Sequence, residues 1–287
     1  MIREATCDDA EKIAAFLQHH VETSMFLLSN LEQHGIIASD HAHATRYFIY
    51  EQGASVQGVF GCTRNGYLMC QHPGLCLSTA RDYLSCIEGT RVQGMTGVTD
   101  QVALFVEALR ALDDAWLLNR VEPLFGLELA KLKAPDSHLC APKQGDRAML
   151  EAWFERLLIE TGIADAAHAP ASAVLRAAAA ITGTNTRIYL DDAQTPVGMT
   201  SVNARAGKAV QIGGVFVLPE HRGQGHAGRM VAAHLAQLRE CGIKKAILFA
   251  ASDSAAKAYT RVGFQRLGGY RVAMLREPCV MGDAAWA

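Results

Sequence analysis

The segment from Gln211 to Gly228 constrains this chain more than any other. The apolar run up to Val217 reads as a strand, Gly223, Gly225 and Gly228 read as a tight turn, and a helix follows at once. Ala227, Val231, Leu235 and Leu238 share one face of that helix, which stops at Gly242. A helix N-terminus leaves backbone N–H groups unpaired and carries a partial positive charge, and glycines let an anion approach the backbone closely. His221 and Arg222 precede the helix and Arg229 lies in its first turns. The segment therefore reads as an anion cradle, and phosphate is the anion it suits.

Two common phosphate motifs fail here. Gly223-x-Gly225-x-x-Gly228 has dinucleotide-fingerprint spacing, but that fingerprint needs its first glycine directly after the strand and an acidic residue about 20 positions later. Leu218 to Arg222 intervene, and the later region Ile247 to Ala251 offers no carboxylate before Asp253. No Gly-Lys-Ser/Thr follows, which excludes a P-loop. With 27 Lys+Arg against 29 Asp+Glu, the net charge of −2 provides no overall field for a nucleic acid, so no nucleic-acid partner is expected. The positive character is local.

A chain of 287 residues, 50% hydrophobic, has room for two domains. Ile13, Phe16, Leu17 and Val21, then Met25, Leu28 and Leu31, predict one or two amphipathic helices ending near Gly35. Strands are expected over Arg46 to Glu51, Ser55 to Thr63 and Tyr67 to Gln71, with Asn65-Gly66 as a hairpin turn. A helix from Ser78 to Ile87, a strand from Arg91 to Met95, a helix from Asp100 to Leu112 and strand-rich residues Pro123 to Leu132 complete this half. The order then recurs: strand Leu139 to Ala141, helices opening at Gly145 and Ala173, strands Thr186 to Leu190, Pro196 to Asn203 and Ala209 to Val217. The recurrence predicts two related α/β domains with a boundary near residue 136.

No run of about 18 apolar residues predicts a membrane span, and the N-terminus lacks the basic start and apolar core of a signal peptide. The expected localisation is cytoplasmic, with no membrane partner. The eight cysteines include no C-x-x-C pair and are expected to be reduced thiols. His41 and His43 have no cysteine or carboxylate placed beside them, and no metal is expected.

Val217-x-Pro219-x-x-Arg222-Gly-x-Gly225-x-Ala227 resembles the acyl-CoA-binding motif of the GNAT superfamily of N-acetyltransferases. Strand Lys244 to Ala250, helix Ser252 to Val262 and the ending Tyr259-x-x-x-Gly263-Phe264 are similar to the family's second signature. The resemblance is detailed over Leu139 to Leu275 and one of element order alone over residues 1–135. It implies tandem GNAT-like domains, each an α/β (α+β) mixed, mostly antiparallel sheet flanked by helices. Residues 137–287 would be the catalytic domain. Residues 1–135 would be a degenerate copy, since His72 to Arg81 contain no Arg-x-x-Gly-x-Gly and Pro73 removes an N–H donor.

The resemblance also implies site roles. Amides from Arg222 through Gly223, Gln224, Gly225, His226 and Ala227 to Gly228 would hold the pyrophosphate of acetyl-CoA, the acyl-donor cosubstrate. The strand edge at Val215 and Val217 would pair with the pantetheine arm, and an N–H of Val215 or Phe216 would face the thioester oxygen. Tyr259 would be the general acid at the leaving sulfur, because a phenol of ordinary pKa near 10 is protonated at pH 7. Ser252 stands where the family often has an Asn contacting the coenzyme, and a serine there can cap the helix.

The acceptor would be a primary amine of a small molecule or peptide. An alkylamine is neutral about once in 10³ at pH 7, so a base or water relay is expected, with Glu160, Asp191, Asp192 and His226 as candidates. The implied activity is acetyl-CoA-dependent N-acetyl transfer. A non-catalytic acyl-CoA sensor on the same fold is the alternative, because no carboxylate lies on the strand Ala209 to Val217.

Overall fold

Ile13 and Leu17, one helical turn apart, are both fully buried, and that spacing makes α1 (Ala10–His19) pack by one face. The computed structural model describes residues 1–36, 39–53, 55–109, 113–133 and 138–282. The expected helix end at 110–112 and the expected boundary near 136 lie outside the described residues.

After β1 (Ile2–Glu4) and α1 come α2 (Val21–His34), β2 (Thr45–Gln52), β3 (Ser55–Thr63), β4 (Tyr67–Gln71), α3 (Leu77–Cys86), β5 (Arg91–Val98) and α4 (Thr99–Leu109). After β6 (Trp116–Glu128) the same order returns. It runs β7 (His138–Cys140), α5 (Arg147–Glu160), α6 (Ala169–Thr182), β8 (Thr186–Leu190), β9 (Pro196–Ala206), β10 (Ala209–Val217), α7 (His226–Glu240), β11 (Lys245–Phe249), α8 (Asp253–Val262) and β12 (Gln265–Val280). In each half the sheet is antiparallel except for one parallel pair, β4 with β5 and β10 with β11. The fold is thus a mixed, mostly antiparallel sheet flanked by helices, built twice.

The division of the chain is not a single break. One compact unit is Met1–Glu122 with Gly269–Ala287, and the other is Pro123–Gly268. Within the first, β5 is followed antiparallel by the C-terminal part of β12, so that Tyr270 lies opposite Val98 and Met274 opposite Gly94. Within the second, β11 is followed antiparallel by the end of β6, with Lys245 opposite Glu128 and Phe249 opposite Leu124. Each unit therefore takes its sixth strand from the other half of the sequence. Local pattern does not report this, since an apolar strand states which face is buried and not which edge it will join.

In the second unit Val202, Ile212, Val231, Leu235, Leu248 and Phe264 share one core with the strand-end residues Phe125, Leu127, Leu129 and Leu132. Met199 and Phe216 enter a separate cluster with α5 and α6, through Leu150, Trp153, Phe154 and Ala173. Burying each large apolar side chain contributes about 1.5–3 kcal/mol, so the four from residues 123–132 together approach the whole stability of a typical domain, about 5–15 kcal/mol. A fragment of residues 123–268 is expected to unfold cooperatively by circular dichroism, and one of residues 137–268 to show no transition. Matching melting curves would mean that β6 is dispensable to this unit.

Candidate functional site

β10 and β11 pair over Ala209–Ile212 and Lys245–Leu248, and the parallel ladder then ends. On its other edge β10 stays bound to β9 as far as Val217, opposite Gly198. Between Gly213 and Phe216 one extra residue is inserted relative to Ser201 and Met199, a β-bulge that bends the strand. Gly214 takes φ +58° there, and a side chain on Gly214 would press on Ser201 Oγ while one on Gly213 would collide with the Asn203 amide. From Gly213 to Val217 no described strand pairs with the edge of β10 that faced β11.

A single 3₁₀ turn, Pro219–His221, leads from β10 to the glycines. Gly223 and Gly225 adopt φ of +79° and +81°, and a Cβ built on either meets nothing within 4 Å. Gly225 is the N-cap of α7, so its neighbours open the unpaired end of the helix to an anion. Gly228 is buried one turn on, where an added Cβ would come 3.5 Å from Ala258 O and 3.4 Å from Val262 Cγ2. Those are ordinary contact distances, and they place Gly228 where α7 packs on α8.

Arg222 is engaged by groups on both sides of the turn. Its Nε donates to Val217 O at 2.9 Å, and its Nη2 reaches both oxygens of Glu160 at 3.0 and 2.8 Å. The guanidinium also lies 5.7 Å from the centre of the Phe216 ring. Arg222 thus ties the turn back to the end of β10 and to the last residue of α5. A second cation beside the start of α7 is Arg229, whose Nη2 donates to Gln224 O at 3.1 Å and approaches His226 Nδ1 at 3.2 Å.

The other residues named from the sequence take these positions. His226 is buried, 3.4 Å from Tyr189 Oη and 3.3 Å from Gln224 Oε1. Burial, then the charges of Arg229 and His221, hold its imidazole below the ordinary value. Ser252 caps α8 by accepting from Ala255 N at 3.2 Å. Tyr259 is buried on α8 in the core that contains Phe264, at 6.1 Å between ring centres. Glu160 is ion-paired with Arg222, and Asp191 accepts from Ala193 N and Thr195 N to close the turn between β8 and β9. Asp192 is exposed.

A cavity of about 480 Å³ opens beside the α7 N-terminus. Gly225, Gly228, Ala232, Ala258, Val262 and Gly263 form its apolar part, and its charged lining is Lys131, Lys133, Arg229 and Arg261. No acidic residue is among the described residues that line it. Sequence reading missed Lys131, Lys133 and Arg261, because the lysines lie far from the glycines in the chain and carry no motif. A polyphosphate with an attached nucleoside suits such a cavity in size and charge.

A model of the acetyltransferase (GNAT) domain matches residues 160–273, which include the bulged strand, the glycine turn and both α7 and α8. This segment is a GNAT acetyltransferase domain. The repeated element order makes the arrangement a tandem one, and at family level the GNAT activity is acyl-CoA-dependent acetyl transfer. Among solved structures, a Drosophila protein is 15% identical and matches 96% of this chain and 98% of its own, with a TM-score of 0.60. A GCN5-related glucosamine N-acetyltransferase region of a fungal multi-domain β-N-acetylglucosaminidase is 11% identical over 95% of this chain and 38% of that one, with a TM-score of 0.51. A GCN5-related N-acetyltransferase from Kribbella flavida is 15% identical over 77% and 87% of the two chains, with a TM-score of 0.50. At these identities the likeness is one of fold. No curated protein matches the chain. Among the described residues no helix of the GNAT domain or of the rest is long and apolar enough to cross a membrane, and no group of His, Cys, Asp and Glu is placed to hold a metal.

The GNAT domain carries a buried titratable group in the helix that presents the cradle. His234 on α7 is 1% exposed and its Nδ1 has no hydrogen-bond partner. Burial, reinforced by Arg187 and Arg205, lowers its pKa to about 4. The unfolded chain takes up this proton near pH 6.5 and the folded one does not, so stability is lost as the pH falls from about 6.5 to about 4. The full effect is about 3 kcal/mol. Urea unfolding between pH 7.5 and 4 is expected to give a shallower loss in His234→Leu than in the parent, and identical slopes would assign the pH dependence to other groups.

Proposed function

We propose that the protein transfers an acetyl group from acetyl-CoA to a primary amine of a small molecule or peptide, by direct attack of the amine on the thioester. The observation that carries this reading is the early end of the β10–β11 ladder, which leaves a strand edge aimed at a glycine turn and a helix N-terminus. Acetyl-CoA fits the residues present: its diphosphate suits left-handed Gly223 and Gly225, around which there is open space, and its amide-bearing arm suits an unpaired strand edge.

In this reading the amides from Arg222 to Gly228 hold the diphosphate, and Arg222 keeps them in place through Val217 and Glu160. The backbone at Val215 and Val217 pairs with the pantetheine arm. An N–H of Val215 or Phe216, offered by the bulge, donates to the thioester oxygen as negative charge develops there. The Tyr259 hydroxyl delivers a proton to the leaving sulfur, and Ser252 orders the start of the helix that presents it. The first unit has no equivalent cradle: between β4 and α3 the glycine is Gly74, which is not in the left-handed region, and Cys76 is the N-cap. We assign it no coenzyme.

The test is thiol release from acetyl-CoA across a library of amines. At least one amine is expected to accelerate release, and Tyr259→Phe to lower kcat by about 10-fold or more while leaving coenzyme affinity within about 2-fold. Binding of acetyl-CoA with no amine-dependent release would favour an acyl-CoA sensor instead. Gly225→Glu is expected to abolish calorimetric binding of CoA, since it forces a left-handed backbone on a side chain and sets a carboxylate in the cradle. Unchanged affinity in that variant would remove the cradle assignment.

A further inference from the structure

The charged lining of the 480 Å³ cavity exceeds what the glycine turn requires. A diphosphate on the α7 N-terminus is already served by backbone amides and by Arg229 three residues into the helix. Lys131, Lys133 and Arg261 remain, all exposed, with no acidic residue among the described residues that line the same cavity. Like charges gathered in one cavity repel one another, and a bound anion relieves that repulsion.

The two lysines are held by a rigid support. They flank Leu132, which is buried with Leu129 in the core of the second unit. Arg239 Nη1 donates to Leu129 O at 3.2 Å and to Leu132 O at 3.1 Å, and Leu129 N donates to Lys244 O at 2.7 Å. The backbone that carries both ammonium groups is therefore clamped on either side of Lys131. Lys131 and Lys133 also lie outside residues 160–273, so they come with the exchanged strand β6 and not with the matched GNAT domain.

We propose that Lys131 and Lys133, with Arg261, form a subsite for the phosphate on the ribose 3′ position of the coenzyme, and so select CoA over its 3′-dephospho form. The proposal rests on the coenzyme reading above and adds to it the residues that read the nucleotide end. Ala232, Ala258 and Val262 give the base an apolar floor, while the exposed lysines in the same lining meet a terminal phosphate that remains partly hydrated. These are positioning contacts and take no part in the transfer step.

The experiment is titration calorimetry of the full chain at one ionic strength with CoA, dephospho-CoA and adenosine 3′,5′-bisphosphate. The parent is expected to bind CoA at least about 10-fold more tightly than dephospho-CoA, as two charge-assisted contacts to a phosphate imply. Lys131→Gln with Lys133→Gln is expected to remove that preference by weakening CoA and the bisphosphate while leaving dephospho-CoA within about 2-fold. Replacing both by arginine is expected to retain the preference. Both positions are exposed, so the melting temperature is expected to stay unchanged. Equal affinity of the parent for CoA and dephospho-CoA, or an equal loss of both in the glutamine variant, would overturn the subsite and leave the coenzyme reading standing. Failure of the parent to bind any of the three would overturn both.

Discussion

β10 and β11 share four ladder positions and then part, and the edge this leaves on β10 is the constraint on which the second unit depends. Backbone N–H and C=O groups need partners, and a strand that loses its neighbour must meet water or a ligand. The bulge at Gly213–Phe216 turns this edge while β9 holds the other side. The two consecutive glycines there are explained by crowding, because Asn203 and Ser201 occupy the space that side chains would need. At the end of the strand the chain turns through left-handed glycines into α7, which packs on α8 at Gly228. An unpaired strand edge and an open glycine turn thus follow one another in a single segment.

The exchange of sixth strands is the second structural fact with consequences for chemistry. β6 completes the sheet beside β11, and its end with the turn that follows brings Phe125, Leu127, Leu129 and Leu132 into the core of the second unit. The residues that anchor this core also carry Lys131 and Lys133 into the cavity lining, so stability and charge placement share one segment. In the first unit the C-terminal residues of β12 play the corresponding part beside β5, with Ala273, Leu275 and Cys279 buried in its core. The expected boundary near residue 136 follows from reading the repeat as two consecutive blocks. Apolar strands of similar pattern do not state which sheet edge they will join.

Arg222 shows how far a motif can be read without geometry. Its position before two glycines implies charge beside an anion site, and the structure adds that its guanidinium meets Val217 O, Glu160 and the face of Phe216. The same contacts account for Glu160, which the sequence offered as a base and the structure places in an ion pair at the end of α5. The Arg222–Glu160 pair joins residues about 60 positions apart, whereas Val217 and Phe216 are near Arg222 in the chain.

The sequence by itself determined most of the elements, though not β12 or the start of β6 at Trp116, and it determined their repeated order and the glycine turn, because these rest on periodicity, on φ preferences and on contacts within a few residues. It also located Ser252 as a helix cap and Tyr259 on the helix after β11, since capping and helical spacing are local. Only the tertiary structure decided which strand closes each sheet, where the β10–β11 ladder stops, what Arg222 touches and which cations surround the cavity. Each of these involves a pairing between distant parts of the chain, in the case of Arg222 its ion pair with Glu160. Such pairings are set by edge geometry, side-chain volume and charge balance in the assembled core, which no single stretch of residues contains.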